Sequence, residues 1–213
     1  MTEVTVIDYG VGNLLSVQRG LEHCGAQVTV TGDPESILKA ARVVLPGVGA
    51  FARGMGELRR AHLDGVVREV ASRGTPLLGI CLGMQMLLDE SEEFETTPGL
   101  GIVPGRVTAI PTRNPAGGQQ KVPHVGWGSL VPSDGGSAWE GGLLKTVNSG
   151  DAVYFVHSFM AAPSMPEHRI ADTHYGGVQV SAVIQKDRVF GCQFHPEKSG
   201  AVGLRILGSF LSL

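Results

Sequence analysis

The stretch Thr75-Pro-Leu-Leu-Gly-Ile-Cys-Leu-Gly-Met-Gln85 decides the fold. It opens as an apolar run that is typical of a buried strand and continues, from Leu82, in the pattern of a helix. Cys81 stands at the junction, with Gly79 before it and Gly83 after it. A strand, a sharp turn and a helix in this order indicate a nucleophile elbow, which lifts one reactive side chain above the carboxyl edge of a sheet. Glycine is expected on both sides because a Cβ atom in so tight a turn would clash.

The segments around this stretch alternate strand and helix signals. We predict strands at 4–8, 27–31, 42–45 and 75–80, and helices that begin after Asn13, at Phe51 and at Leu82. The apolar spacing from Phe51 predicts one long helix up to Gly74, and the helix from Leu82 is predicted to run to Asp89. Continuous apolar strands that alternate with helices favour a mostly parallel open sheet with helices on both faces.

The second half of the chain has a different character. Glycine and proline are frequent between 98 and 150, and helix signals are few. Strands are predicted at 106–110, 153–156, 169–173, 178–184 and 188–194, with joints that favour hairpins, followed by a last helix at 199–213. We therefore expect one α/β domain over residues 1–213 that carries an antiparallel β flap.

Composition and charge exclude several classes of function. The hydrophobic fraction is 42% and the charged fraction 17%, which excludes a disordered chain. The net charge is −3 without a basic stripe, so neither nucleic acid nor a membrane is expected as a partner. The apolar runs are shorter than the ~20 residues of a membrane span, and the N-terminus lacks the pattern of a secretory signal. Three cysteines without a CxxC motif fit a reducing cytoplasm.

A second motif, Phe194-His195-Pro196-Glu197, is far from Cys81 in sequence. An imidazole can hold a thiolate as an ion pair and return the proton to a leaving amine. A carboxylate two residues later can bond the other ring nitrogen and set its tautomer. Alone, the motif more often marks a surface His-Pro turn. A zinc site on Cys192 and His195 is a further alternative, but no second pair of ligands is near in sequence, so we expect no metal.

A third motif, Pro46-Gly47-Val48-Gly49, ends another apolar strand. Two glycines allow an exposed peptide, so that N–H groups here and at Leu82 can form an oxyanion hole. A phosphate cradle and a plain turn remain alternatives for this segment. Gly10-Val11-Gly12 hints at a dinucleotide-binding turn, but Leu15 stands where the third glycine belongs, and we expect no cofactor.

Together, these motifs resemble those of the class I, or triad, glutamine amidotransferases over essentially the whole chain. The resemblance implies a flavodoxin-like α/β fold and an enzyme that hydrolyses glutamine through a cysteinyl thioester. It implies a catalytic triad of Cys81, His195 and Glu197, with an oxyanion hole from the backbone of Val48 and Leu82. It also implies four residues that bind glutamine: Gly49, Gln85, Glu93 and Ser158.

Three further stretches narrow the resemblance. Residues 8–13, 46–51 and Pro123-His124-Val125-Gly126-Trp127 are similar to the branch of this family that serves imidazole glycerol phosphate synthase. That similarity implies a heterodimer with a (βα)8 cyclase subunit that uses the ammonia in histidine biosynthesis, with Trp127 and Lys198 at the interface. Trp127 lies between glycines in a polar flap, which favours an exposed anchor over a core aromatic.

Two departures keep alternatives open. Most members of the branch have Asn where Gly128 stands, and often Tyr where Phe159 stands. The chain could instead be a sister glutaminase that feeds another synthase, for example a sugar-modifying one. A non-catalytic regulatory subunit with the same fold is the third hypothesis, and the intact triad residues argue against it.

Overall fold

The computed structural model of the chain describes residues 2–133, 139 and 142–213. In this part of the chain the helices are α1 (Leu14–His23), α2 (Pro34–Leu38), α3 (Phe51–Arg60), α4 (Asp64–Ser72), α5 (Leu82–Met86) and α6 (Gly200–Leu211). The strands are β1 (Thr2–Ile7), β2 (Ala26–Thr31), β3 (Val43–Leu45), β4 (Leu77–Ile80), β5 (Glu90–Ser91), β6 (Thr97–Pro98), β7 (Gly105–Ala109), β8 (His124–Ser129), β9 (Val131–Pro132), β10 (Ala152–His157), β11 (Phe159–Pro163), β12 (Arg169–Tyr175), β13 (Val178–Lys186) and β14 (Val189–Cys192).

The main sheet is mostly parallel, as the sequence predicts. Within the described residues it has eight strands in the order β2-β1-β3-β4-β14-β13-β12-β9. The strands from β2 to β14 are parallel, in the order of flavodoxin-like folds, whereas β13, β12 and β9 extend the sheet in antiparallel fashion. The neighbours β3, β4 and β14 therefore end at the same edge, and each leads into one of the three motifs.

Helices cover both faces of this sheet. The side chain of Val44 packs in the apolar cluster that contains residues of α1 and α6. Its neighbours Val43 and Leu45 pack in the opposite cluster, with residues of α3 and α4. Burial on both faces explains why the parallel strands appear as continuous apolar runs in the sequence.

A flap of shorter strands lies beside the edge where β3, β4 and β14 end. It consists of the antiparallel pair β8–β10 and a second sheet in the order β11-β7-β5-β6. The backbone N–H of His195 donates to the carbonyl of Tyr154 on β10, and the Tyr154 N–H donates to the Ser199 hydroxyl. These bonds attach the flap to the loop that follows β14. In the described part of the chain, no helix is both long and apolar enough to cross a bilayer.

The prediction of one long helix from Phe51 is wrong, because the chain turns at His62. This residue has a φ of 57°, outside the helical region. The N–H of His62 donates to the Arg59 carbonyl and that of Leu63 to the Leu58 carbonyl, the bonding pattern of a Schellman helix end. Leu58 and Leu63 are both buried, and their apolar contact accompanies the turn.

Several elements have weak sequence signals, among them the short strands β5, β6, β9 and β11, which were not predicted. The short helix α2 was not predicted, although Asp33 caps it by accepting a hydrogen bond from the Ser36 N–H at 2.9 Å. Strand β8 was not predicted either, because Gly126 and Gly128 lower its strand propensity. It forms because β10 offers a partner along its whole length.

We predict that Gly83→Ala strongly destabilises the protein. A Cβ atom at Gly83 would lie 1.9 Å from the carbonyl oxygen of Leu45, which cannot move without displacing β3. The expected loss is about 3 kcal/mol or more in the free energy of unfolding, measured in urea.

Gly65→Ala is the matched control. Gly65 is exposed on α4 with open space around its Cα, so alanine is expected to raise stability by about 0.5–1 kcal/mol. Equal unfolding midpoints for the two variants would contradict the steric role of Gly83.

Candidate active site

The elbow between β4 and α5 holds Cys81 in a strained backbone conformation. Its φ of 54° and ψ of −112° are values that side-chain-bearing residues rarely adopt. A Cβ at Gly79 would lie 2.7 Å from the Gly83 carbonyl oxygen, so the flanking glycines have the steric role that the sequence predicts. The Cys81 N–H donates to the Cys192 carbonyl at 2.7 Å, which ties the elbow to β14.

The helix after the elbow is shorter than predicted. It ends at Met86 instead of Asp89, because the N–H groups of Leu87 and Leu88 close the last turn onto Met84 and Gln85. The field at the N-terminus of so short a helix is weak. Stabilisation of a thiolate at Cys81 must therefore come mainly from charged side chains.

His195 supplies that charge. Its side chain is only 4% exposed and lines the same cavity as Cys81. The Nδ1 atom lies 2.8 Å from Oε1 of Glu197, on the short turn Pro196–Lys198. The structure therefore brings a sulfur, an imidazole and a carboxylate together, although the cysteine and the histidine are far apart in sequence.

The neighbours of His195 favour its charged form. Burial alone would lower its pKa, but the hydrogen bonds and negative charges of Cys81 and Glu197 outweigh burial and raise the pKa of His195 to about 9. Nearby, burial and the charge at Cys81 raise the pKa of the Tyr9 hydroxyl. At neutral pH the imidazole is thus positively charged, and a cation beside a sulfur is the setting in which enzymes use cysteine as a nucleophile.

The loop after β3 lies beside the elbow. Gly47 allows its close approach, since a Cβ there would lie 2.8 Å from the Tyr9 hydroxyl and 2.9 Å from the Gly83 nitrogen. The Tyr9 hydroxyl donates to the Pro46 carbonyl at 2.8 Å and fixes the start of the loop. Among the residues described, neither the Val48 nor the Leu82 N–H donates to another part of the chain. Both groups are free to bind an anion.

A cavity of about 380 Å³ opens over the cysteine, which is a suitable size for a small ligand. Most of its lining had been predicted from the sequence: Val48, Gly49, Cys81, Leu82, Gln85, Glu93, Ser158 and His195. Glu197 lies behind His195 and outside the lining. The lining residues that sequence reasoning missed come from the flap: Pro123, Val156, His157 and Phe159.

Two of the predicted glutamine-binding side chains are fixed by the protein itself. The Gln85 side-chain amide donates to the Phe159 carbonyl and to Oε1 of Gln193, both at 3.0 Å. Oε2 of Glu93 accepts a hydrogen bond from the Phe51 N–H at the start of α3, at 2.6 Å. Gln193 was not predicted, although a glutamine between the apolar Cys192 and Phe194 was a signal that could have found it.

The two residues predicted for a partner interface lie on the outside. Trp127 is 60% exposed, as expected for a surface anchor, and its ring meets Tyr154 edge-on at 5.9 Å. Lys198 is exposed one residue after Glu197. Because the Tyr154 carbonyl binds the His195 N–H, both exposed residues are close in structure to the histidine motif.

The Cys192 thiol does not line the cavity. It is fully buried in the core cluster, and burial, with a smaller effect of the Glu197 charge, raises its pKa. Within the described residues, no three histidine, cysteine or acidic side chains are grouped as metal ligands.

Such an arrangement on the edge of an open α/β sheet is typical of cysteine-dependent amide hydrolases. Comparison with known proteins identifies the family within this class of enzymes. The family model described as glutamine amidotransferase class-I matches residues 5–211, and the chain belongs to this family. The predicted fold class, family and enzymatic nature of the chain are thereby confirmed.

Relatives of similar length carry one common name. The chain is 48% identical over 213 residues to the imidazole glycerol phosphate synthase subunit HisH 1 of Legionella pneumophila (strain Lens), covering all of both chains. It is 46% identical to subunit HisH of Geobacillus thermodenitrificans, covering 100% of this chain and 97% of that protein. It is 44% identical to subunit HisH of Methanosarcina acetivorans, covering all of both chains.

Solved structures agree on the fold. A crystal structure of a glutamine amidotransferase superposes with a TM-score of 0.72 at 18% identity, covering 99% of each chain. The structure of PurLQS from Thermotoga maritima gives a TM-score of 0.71 at 18% identity, covering 99% of this chain and 97% of the other. At this identity the likeness establishes the fold alone.

We predict that His195 titrates far above the ordinary histidine value of 6.5, near pH 9. The native pKa is raised above the unfolded one, so its contribution to stability is complete below about pH 6.5 and is lost as the pH rises through about 9. A 15N NMR titration of the histidine side chains measures this pKa, and Glu197→Gln is expected to lower it. A native His195 that titrates at or below 6.5 would contradict the charged pair.

Proposed function

We propose that the chain is the glutaminase subunit of an imidazole glycerol phosphate synthase. It hydrolyses glutamine to glutamate and ammonia and delivers the ammonia to a (βα)8 cyclase subunit. The cyclase uses the ammonia to make imidazole glycerol phosphate and aminoimidazole carboxamide ribonucleotide in histidine biosynthesis. The full-length similarity to proteins named HisH supports the cyclase subunit as the acceptor of the ammonia. The observation that carries the chemistry is the pair of His195 and Glu197, hydrogen-bonded at 2.8 Å, beside Cys81 in one cavity.

In the first half of the reaction, the Cys81 thiolate attacks the side-chain amide carbon of glutamine. A tetrahedral intermediate forms, and its negative oxygen is bound by the N–H groups of Val48 and Leu82. Each such donor typically contributes ~2.7–4 kcal/mol to transition-state stabilisation. The C–N bond then breaks as His195 protonates the departing nitrogen, which leaves as ammonia. A glutamyl thioester remains on the cysteine.

In the second half, water cleaves the thioester. His195, now neutral, removes a proton from water as it attacks the thioester carbon. The same oxyanion hole binds the second intermediate, and the C–S bond breaks to release glutamate and restore the thiolate. Glu197 keeps the imidazole in one orientation throughout, since its carboxylate holds Nδ1.

The cavity can distinguish the two ends of the substrate. The carboxylate of Glu93 suits the α-ammonium group of the glutamine substrate. The Gln85 side chain uses its amide N–H groups within the protein, so its oxygen is available as a further acceptor. Gly49 and Ser158 line the same cavity and complete the proposed glutamine site. The φ of 96° at Gly49 favours glycine at this position of the loop.

The cyclase partner belongs to the proposal because free ammonia is easily protonated and lost to water. Trp127 and Lys198, exposed next to the histidine motif, are proposed to contact it. The proposal also takes residues 1–213 as a single domain, supported by a main sheet whose strands come from both halves of the chain. It includes a cytoplasmic location, supported by three cysteines that are all free thiols.

The two departures from the branch pattern do not favour a different acceptor. A Cβ at Gly128 would lie 2.6 Å from the Thr173 hydroxyl and 3.0 Å from the Phe155 ring, so the local packing of this chain excludes asparagine there. Phe159 contributes its backbone carbonyl to Gln85, which any side chain at that position would also provide. The sister-glutaminase hypothesis therefore gains no support from either position.

We predict that Cys81→Ala abolishes glutamine hydrolysis but spares synthase turnover when the cyclase is supplied with ammonium salt. Loss of the nucleophile in an enzyme of this kind costs on the order of 10⁶ in kcat. Glutamate release and cyclase product are measured in parallel.

Cys24→Ala is the matched control, because Cys24 is a half-buried thiol bonded to the Leu204 carbonyl on α6. It should keep both activities. Glutamine turnover that survives Cys81→Ala would show that the nucleophile is elsewhere. A cyclase that forms no product when it is given the intact chain and glutamine would overturn the proposed acceptor.

We also predict that Trp127→Ala weakens binding to the cyclase by at least about 2 kcal/mol while the melting temperature stays within about 2 °C. The ring is largely exposed in the free chain, so its loss affects the interface more than the fold. Titration calorimetry measures affinity, with Met165→Ala as a control at another exposed apolar side chain. Unchanged affinity of the Trp127 variant would refute the anchor.

A further inference from the structure

Two buried histidines lie side by side in the flap and take no part in the mechanism above. His124 begins β8 and His157 ends β10, where they form a directly opposed cross-strand pair. They are 3% and 7% exposed. Nδ1 of His124 lies 3.0 Å from Nε2 of His157, and Nδ1 of His157 lies 2.8 Å from the Phe159 carbonyl oxygen.

Aromatic rings hold the outer imidazole in place. The ring of His124 stacks on Tyr175 at a centroid distance of 4.0 Å and on Phe155 at 4.9 Å, with nearly parallel planes in both cases. The Tyr175 hydroxyl donates to the Lys121 carbonyl, which fixes that ring in turn. His124 therefore has little freedom to rotate away from His157.

Hydrogen bonds run in a line from His124 through His157 to the Phe159 carbonyl. The carbonyl at its end determines which ring nitrogens carry hydrogen. A carbonyl oxygen can only accept, so Nδ1 of His157 must carry hydrogen. Nε2 of a neutral His157 is then an acceptor, so Nδ1 of His124 must carry hydrogen as well. Burial, chiefly, together with the nearby His124 and His195, lowers the pKa of His157 to about 4, and burial lowers the pKa of His124. Both rings are thus neutral at pH 7, each with hydrogen on Nδ1.

This line of hydrogen bonds continues from the Phe159 carbonyl to Gln85 in the cavity over Cys81. The Phe159 carbonyl that binds His157 also accepts a hydrogen bond from the Gln85 side-chain amide. The same amide donates to Gln193, whose own Nε2 lies 4.0 Å from the Cys81 sulfur. Two acceptors therefore determine the orientation of Gln85, and one of them is held by His157.

We propose that His157 is a positioning residue for glutamine, which acts with His124 through the Phe159 carbonyl to keep the Gln85 oxygen directed into the cavity. This inference rests on the proposed function, because it assigns the orientation of Gln85 a role in binding the substrate. A neutral ring suits the task, since a charged one would lie close to the positive His195. Its Nδ1–H form is the one that the Phe159 acceptor requires.

The first test compares the steady-state kinetics of four proteins in complex with the cyclase subunit: the unmodified chain, His157→Phe, His157→Asn and Tyr175→Phe. His157→Phe keeps a ring but loses both hydrogen bonds. We expect it to raise KM for glutamine about tenfold, the effect of one lost hydrogen bond at a binding group, with kcat within about threefold.

The other variants separate positioning from packing. Asparagine places an amide N–H near the position of Nδ1, so His157→Asn can still donate to the Phe159 carbonyl and is expected to restore KM to within about threefold. Tyr175→Phe keeps the ring that stacks on His124 and removes only the exposed hydrogen bond to the Lys121 carbonyl, so KM should stay within about twofold. A merely structural role would instead lower the melting temperature of all three variants without a selective change in KM.

The second test does not depend on activity. Long-range 1H–15N NMR spectra distinguish the two neutral tautomers, and His157 is assigned by the signals missing in His157→Asn. We expect Nδ1–H for both His124 and His157 at pH 7, against the usual preference of neutral imidazole for Nε2–H.

The outcomes are distinct. A raised KM that asparagine rescues, together with Nδ1–H in both rings, supports the inference. An unchanged KM in His157→Phe, equal effects in all variants, or Nε2–H at His157 overturns it, while glutamine turnover by the unmodified chain stays intact. An unmodified complex that releases no glutamate would instead overturn the proposed function itself.

Discussion

The contact between Gly83 and the end of β3 is the constraint on which the site depends. The elbow can pass this close to the Leu45 carbonyl only without a side chain at that position. The contact fixes the elbow against the Pro46 loop, so that Cys81, Val48 and Leu82 line the same cavity. The strained backbone at Cys81 and the proposed oxyanion hole are thus set by backbone packing rather than by mobile side chains.

The charges of the two histidines at the site follow from burial and from the groups that each one contacts. Burial would lower the pKa of the enclosed His195, yet this pKa rises, because Glu197 and Cys81 both favour the imidazolium. His157, enclosed to a similar degree on the same cavity, has no negatively charged partner among the groups it contacts, so burial prevails and its pKa falls. Two histidines in one site are thereby kept in opposite charge states by the groups that each one contacts.

The flap connects the exposed surface around Trp127 with the cavity over Cys81. Strand β10 binds the His195 backbone, and its pairing partner β8 carries the exposed Trp127 on one face and the buried His124 at one end. Anything that moves β8 would act on the wall of the cavity through β10, since the two strands are paired along their whole length. This arrangement places the exposed Trp127 and the wall of the cavity within one small antiparallel unit.

The sequence by itself determined the alternation of strands and helices, the elbow around Cys81 and the identity of most residues around the cavity. These have local causes: glycines where a Cβ atom cannot fit, apolar runs that can only be buried, and motifs that directly follow a strand. The break at His62 could not be predicted in this way, because the apolar spacing on both sides of it is equally helical. Strand β8 could not be predicted either, because its glycines lower the strand propensity of the segment.

Only the tertiary structure decided which distant groups touch. That β14 lies beside β4, and so brings His195 to Cys81, depends on a sheet order that no local pattern encodes. The same holds for Gln193, which binds Gln85 on α5, and for His157, which binds His124 on β8. It also holds for the direction of every pKa shift. A shift depends on burial and on neighbouring charges, and both quantities exist only once the strands have assembled.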